Sequence, residues 1–217
     1  MADEADQKGR AALMSALTTE HFVLQTAAAG TISEAGARST LYVMALSSAL
    51  VAMGFASRSR EVLVPFIAIV LPAVFILGVF TVFRLIDTAL ENEQYLVGIA
   101  RIRAQYRTLG PDAEVLFAAE RGRWPEVTST PALGLGVTVA LLGTSATMVA
   151  VINAIVGGAG IWLLMRDQLG ADRSTTALWL GVATTVLLLV TFYRFQQWRF
   201  ATFAPALGLG RDGRLQQ

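Results

Sequence analysis

Four stretches of this chain carry no acidic or basic side chain between their ends. They are residues 40–56 (TLYVMALSSALVAMGFA), residues 62–83 (VLVPFIAIVLPAVFILGVFTVF), residues 133–165 and residues 176–193. The hydrocarbon of a bilayer is about 30 Å thick and takes about 20 helical residues to cross. A backbone in that medium must satisfy its own amides, so spans of this kind are helices or closed barrels. These apolar runs are continuous and do not alternate, which predicts helices. The expected fold is an all-α polytopic membrane protein with four transmembrane helices. It also has an N-terminal amphipathic helix and a long cytoplasmic helical extension of the second span. The expected divisions are residues 1–38, a first transmembrane hairpin 39–83, a cytoplasmic helical segment 84–132, a second hairpin 133–193 and an interfacial tail 194–217.

Composition narrows the function classes. Apolar residues make up 54% of the 217 and charged residues 15%, against about 25% charged in soluble domains. The absence of cysteine excludes disulfides, thiol nucleophiles and thiolate metal sites, and a single histidine excludes multi-histidine metal sites. The net charge is +1 with scattered basic residues, so no nucleic-acid partner is expected. The first apolar run begins near residue 40, which does not fit a secretory leader.

Thirteen of the 17 Lys and Arg residues fall in the N-terminal stretch, in 84–132 or in the tail. Only Arg58, Arg60, Arg166 and Arg173 fall in the two short connections. The positive-inside rule then places both termini and the long insertion in the cytoplasm, and a bacterial plasma (inner) membrane is the expected location. Trp162 and Trp179 lie at the outer ends of spans, and Tyr42, Tyr193 and Trp198 at the inner ends, the placement an interfacial belt requires.

The second span has no clear breaker on leaving the membrane, so a helix is expected from Val62 to Leu109, stopped by Leu-Gly-Pro at 109–111. Pro65 and Pro72 are candidate bends. Along the extension Leu85, Ala89, Asn92, Leu96, Ile99, Arg103 and Tyr106 recur at spacings of four and three, a heptad-like seam. It packs either on a helix of the same chain or between subunits, with Asn92 fixing register. An amphipathic helix is expected over about residues 10–32, with Met14, Leu17, His21, Leu24, Ala28 and Ile32 on one face. His21 on that face is a hydrogen-bonded packing residue or a pH-sensitive contact. The tail segment RFQQWRFATF (194–203) interleaves arginine with aromatic rings, which suits an interfacial anchor.

In the third span Gly136, Ala140, Gly143, Thr147, Ala150, Ala154 and Gly157 form a small-residue seam at spacings of four and three. Close backbone approach is what holds helices together in lipid, so this seam predicts a helical neighbour along its length, in the same chain or another. The first span repeats the theme with Ala45, Ser48, Ala52 and Ala56. Asn153 is an amide deep within a span, and either bonds another helix or, with Ser145 and Thr138, lines a path. Gly157, Gly158 and Gly160 follow it and predict a kink or unwinding near the outer end. The hexapeptide PALGLG occurs at 131–136 and again at 205–210, each time seven residues after a tryptophan, an echo expected by chance in an Ala/Leu/Gly-rich chain. No strand precedes it and no GK[ST] follows, so it is not a phosphate loop.

No nucleophile, acid and base cluster in the sequence, so no catalysis and no cofactor or metal are expected. The spans also lack the intramembrane charges of coupled transporters.

The stretches EHFVLQTA (20–27), ARSTLYVMALSSALVAMGF (37–55) and RIRAQYR (101–107) resemble a family of membrane proteins from high-GC, actinobacterial genomes that carries no assigned activity. The order of the first half is cytoplasmic helix, two spans joined by a tight turn, cytoplasmic helix. It is similar to SLATT-type effectors, a resemblance that implies pore formation and extends only through residue 109. The leading expectation is a homo-oligomeric membrane channel or pore without catalytic activity. The alternative is a non-conducting scaffold that recruits a cytoplasmic protein partner. In both, the lipid bilayer is a partner.

Overall fold

The structure, a computed structural model, describes residues 2–117, 142–169 and 174–203. Every regular element among them is helical: α1 (Ala2–Ala56), α2 (Arg60–Arg107), α3 (Pro111–Leu116), α4 (Ser145–Leu169) and α5 (Ser174–Phe203). Four of these, all but α3, are long and apolar enough to cross a membrane.

α1 is one helix of 55 residues. The expected separate N-terminal helix therefore has no boundary at 38/39, because nothing between Arg10 and Ala56 stops propagation: no proline occurs there. α2 runs unbroken for 48 residues with Pro65 and Pro72 inside it, about 72 Å at 1.5 Å per residue. It stops at Arg107, and Pro111 opens α3, where the fixed φ of proline suits the first turn. The turn between α1 and α2 is confined to 57–59.

The third and fourth spans differ from expectation at their ends. α4 begins at Ser145, where Thr144 caps it; the expected start of the span near 133 is not among the described residues. The Thr144 hydroxyl accepts from the Thr147 amide at 3.2 Å, the N-cap to N3 bond. Gly143 lies ahead of this cap, and residues 133–141 lie outside the described residues. α4 passes through Gly157, Gly158 and Gly160 without a break and continues beyond Arg166 to Leu169. α5 continues past Tyr193 to Phe203, so the first ten residues of the expected tail are helix.

The chain divides into two compact units. Among the described residues, one holds 2–33, 88–117 and 202–203. The other holds 34–87, 142–169 and 174–201.

In the first unit the early part of α1 packs on the late part of α2. The shielded residues of this part of α1 are Met14, Leu17, His21, Leu24, Ala27, Ala28 and Thr31. Ile32, expected on this face, is 69% exposed, and Thr31 is the buried residue instead. A seam spaced three and four reaches 31 after 28, and 32 falls to its flank.

In the second unit the buried positions of α1 are Ser39, Tyr42, Leu46, Ala49 and Ala56. The small residues Ser48 and Ala52 are exposed, contrary to the expected stripe. The reason is complementarity. Gly78 of α2 leaves room for the Tyr42 ring, and a Cβ there would lie 2.8 Å from it.

Candidate functional site

Several polar side chains of the second unit sit where its helices meet. Asn153 on α4 is buried, and its Oδ1 accepts from the Tyr42 hydroxyl on α1 at 3.2 Å. A Cβ on Gly78 would lie 2.2 Å from the same oxygen, so α1, α2 and α4 converge on this one amide. Tyr42 is thus an interior residue, not the lipid-facing aromatic its position suggests.

A second polar cluster joins α4 to α5. Gln196 is 1% exposed. Its Nε2 donates to the Thr144 hydroxyl at 3.4 Å, and its Oε1 accepts from Thr147 at 3.4 Å. Higher on the same pair of helices, the Thr185 hydroxyl lies 3.1 Å from the Gly181 carbonyl and 3.4 Å from the Ala154 carbonyl. The backbones touch here. A Cβ on Gly158 would lie 2.5 Å from the Gly181 carbonyl oxygen, and one on Gly181 would lie 2.7 Å from the Gly158 carbonyl oxygen. One position earlier, a Cβ on Gly157 would meet Phe75 of α2 at 2.8 Å and Leu188 of α5 at 2.9 Å. α4 is therefore the central helix, touching the other three.

Ion pairs close both ends of this unit. At the end near the α1–α2 turn, Arg60 pairs with Asp167 of α4. At the opposite end, Glu34 of α1 accepts from Arg84 Nε at 2.9 Å and Nη2 at 3.1 Å, and from Arg38 Nε at 2.8 Å. Hydrogen bonds from Arg84 first and Arg38 second pull the Glu34 carboxyl down to about 2. Arg199 of α5 pairs with Asp87 of α2 at the same end.

In the first unit the Thr31 hydroxyl lies 2.7 Å from the Ala28 carbonyl and 3.1 Å from Asn92 Oδ1. Leu24 packs where a Cβ on Gly98 would come within 2.8 Å. His21 lies between Phe22 and Tyr106, with ring centroids at 6.4 and 6.1 Å, and its Nδ1 is buried without a hydrogen bond. Burial, and then the charge of Arg103, lower its pKa. Tyr106 also meets Phe117 at a tilt, with ring centroids 5.4 Å apart. Burial also raises the Glu93 carboxyl.

These placements sort the residues singled out from the sequence. Of the small-residue seam, Thr147, Ala150 and Ala154 are buried and Gly157 touches two helices, while Gly143 is exposed. Gly136, Ala140 and Thr138 lie outside the described residues, as does the PALGLG echo. Ser145 is exposed at the start of α4 and does not join Asn153. Of the heptad-like seam, Leu85 and Tyr106 are buried, and Ala89, Asn92, Ile99 and Arg103 are partly so. Leu96 is exposed, and Asn92 has its partner Thr31 within the same chain.

Sequence reasoning missed Gln196, because it lies beyond the apolar run. The signal was present: Ala177, Gly181, Thr185, Leu188, Phe192 and Gln196 follow helical spacing on one face of α5. Among the described residues, no group of three or more His, Asp and Glu side chains is placed to hold a metal ion. Compared with known proteins, the chain matches no family model, no curated protein and no solved structure.

Proposed function

We propose that this chain is a non-conducting membrane scaffold that recruits a protein partner through α1. The face of α1 turned away from α2 carries the reading. Ser15, Thr19, Phe22, Thr26, Ala29, Gly30 and Ser33 lie on it, all exposed, with no charged residue among them. The hydroxyls of Thr19 and Thr26 bond back to the Ser15 and Phe22 carbonyls at 3.0 and 2.9 Å, so they are satisfied inside the helix and leave methyl groups outward. Phe22 is 63% exposed and the neighbouring Val23 55%. A helix face that stays in water is ordinarily charged or strongly polar, whereas this one suits the packing of another helix.

The membrane unit supports the same reading. Asn153, Thr147, Gln196 and Thr185 each bond across helices of the chain itself, which leaves them unsuited to lining an ion path. With both termini cytoplasmic in a bacterial plasma membrane, as the distribution of Lys and Arg favours, the uncharged face meets cytoplasmic proteins.

The test pairs two measurements on the full chain. Extracted with its native lipids, the chain is expected to retain a stoichiometric protein partner, and Phe22→Glu is expected to lose it without changing the protein's own helicity. In proteoliposomes the wild type is expected to show ion flux no greater than empty vesicles. Flux above that background in a defined oligomer overturns the scaffold in favour of a channel. A partner retained by Phe22→Glu overturns the assignment to this face.

A further inference from the structure

The end of the membrane unit that holds Glu34 and Asp87 also holds four arginines, and its acids are already taken. Glu34 accepts from both Arg38 and Arg84, and Asp87 from Arg199. That leaves Arg194, which is exposed and has no ion-pair partner among the described residues. Beside it three aromatic rings cross from α2 to α5: Phe83 to Phe195 at 5.2 Å, then Phe195 to Trp198 at 5.9 Å. Trp198 is 59% exposed and lies four residues after Arg194, so the two share a helical face. Leu187 and Val190 continue that face toward the middle of the span, both exposed.

We propose that this strip binds an anionic phospholipid. Arg194 takes the phosphate-bearing headgroup, Trp198 and Phe195 hold the glycerol and carbonyl region, and an acyl chain runs along Leu187 and Val190. The order matches the polarity gradient of a lipid read from headgroup to tail. An arginine guanidinium donates in a planar fork to phosphate oxygens, and tryptophan favours the interfacial depth. The surplus of positive charge at this end, with Arg194 the member lacking a carboxylate among the described residues, selects a net negative headgroup over a zwitterionic one.

Quenching of Trp198 fluorescence reads occupancy directly. The full chain with Trp124, Trp162 and Trp179 replaced by Phe is reconstituted in phosphatidylcholine vesicles. These contain a small fraction of brominated phosphatidylglycerol or, separately, the same fraction of brominated phosphatidylcholine. The brominated anionic lipid is expected to occupy the site about fivefold more tightly, the preference one interfacial arginine supplies. Arg194→Gln is expected to bring the two lipids level, and Arg194→Lys to keep most of the preference. Arg194 is exposed, so neither substitution disturbs packing, and unchanged helicity checks this. Equal quenching by both lipids in the wild-type sequence overturns the proposal, as does a preference that survives Arg194→Gln.

Discussion

Replacing Gly158 by alanine tests whether α4 and α5 are held by backbone contact. The added methyl would lie 1.9 Å from the Thr185 hydroxyl oxygen and 2.5 Å from the Gly181 carbonyl oxygen. Thr185 can rotate, but the carbonyl belongs to a helix backbone, so α5 must move away. Inserting a methyl into a packed interior costs about 1–3 kcal/mol, and parting the helices also lengthens the Thr185 contact with Ala154. The matched control is Gly54→Ala in α1, where a Cβ meets nothing within 4 Å. There the only change is helix propensity, which favours alanine by about 1 kcal/mol. Unfolding in mixed micelles by added SDS, followed by circular dichroism, compares the two at fixed detergent composition. Gly158→Ala is expected to lower the midpoint and Gly54→Ala to leave it unchanged or raise it. If Gly158→Ala is as stable as Gly54→Ala, the close approach of α4 and α5 is refuted.

Three further outcomes follow from the same contacts. Tyr42→Phe and Asn153→Ala are expected to be non-additive, with a coupling of about 0.6–1.7 kcal/mol in a double-mutant cycle by SDS unfolding, the range of interhelical hydrogen bonds in membranes; strict additivity counts against the Tyr42–Asn153 bond. His21 has a folded pKa below its ordinary 6.5, so its neutral form contributes stability that is complete above 6.5 and fades as pH falls below it. Amide exchange across residues 14–28, corrected for intrinsic rate, should therefore quicken between pH 7.5 and 5.5, and His21→Phe should flatten that change. Glu34 is the opposite case of an acid pulled from 4.5 to about 2. The stability it contributes is present above 4.5 and lost as pH falls toward 2, so the SDS unfolding midpoint should fall over that window, and should fall by less in Glu34→Gln.

What the sequence disclosed and what it hid divide along physical lines. The four long apolar helices, the unbroken α2 and the turn at 57–59 depend on local properties: hydropathy, the absence of breakers and chain length. The inward faces are harder to read, because in a span nearly every side chain is apolar and the contrast that marks an inner face in water disappears. Small residues alone pointed to Ala45, Ser48, Ala52 and Ala56, of which only Ala56 is buried, whereas the packed face also holds Tyr42, Leu46 and Ala49. A large residue opposite a glycine is as good an interface as two small ones, and only the pairing of Tyr42 with Gly78 reveals it. The glycines at 157, 158 and 160 weaken a helix by propensity yet do not interrupt α4, which packs through them on Phe75, Leu188 and Gly181. The start of α4 turned on one hydroxyl, that of Thr144, within a run whose hydropathy continues on both sides.

The distribution of polar groups also argues about what this membrane unit is built to do. A gate needs two arrangements of similar energy, separated by a change in a few contacts. Here the central helix is fixed in register from several directions: by Asn153 to Tyr42, by Thr147 to Gln196, and by the glycine contacts to α2 and α5. Sliding α4 by one turn would move Asn153 about 5.4 Å from Tyr42 and place side chains against the carbonyls that now face Gly158 and Gly181. It would also part Asp167 from Arg60. The losses at Asn153 and at the glycine contacts fall in a medium where water cannot replace the missing partner. Such a unit favours one arrangement, which suits an anchor, while the uncharged outer face of α1 and its orphaned His21 leave the adaptable chemistry in the other unit.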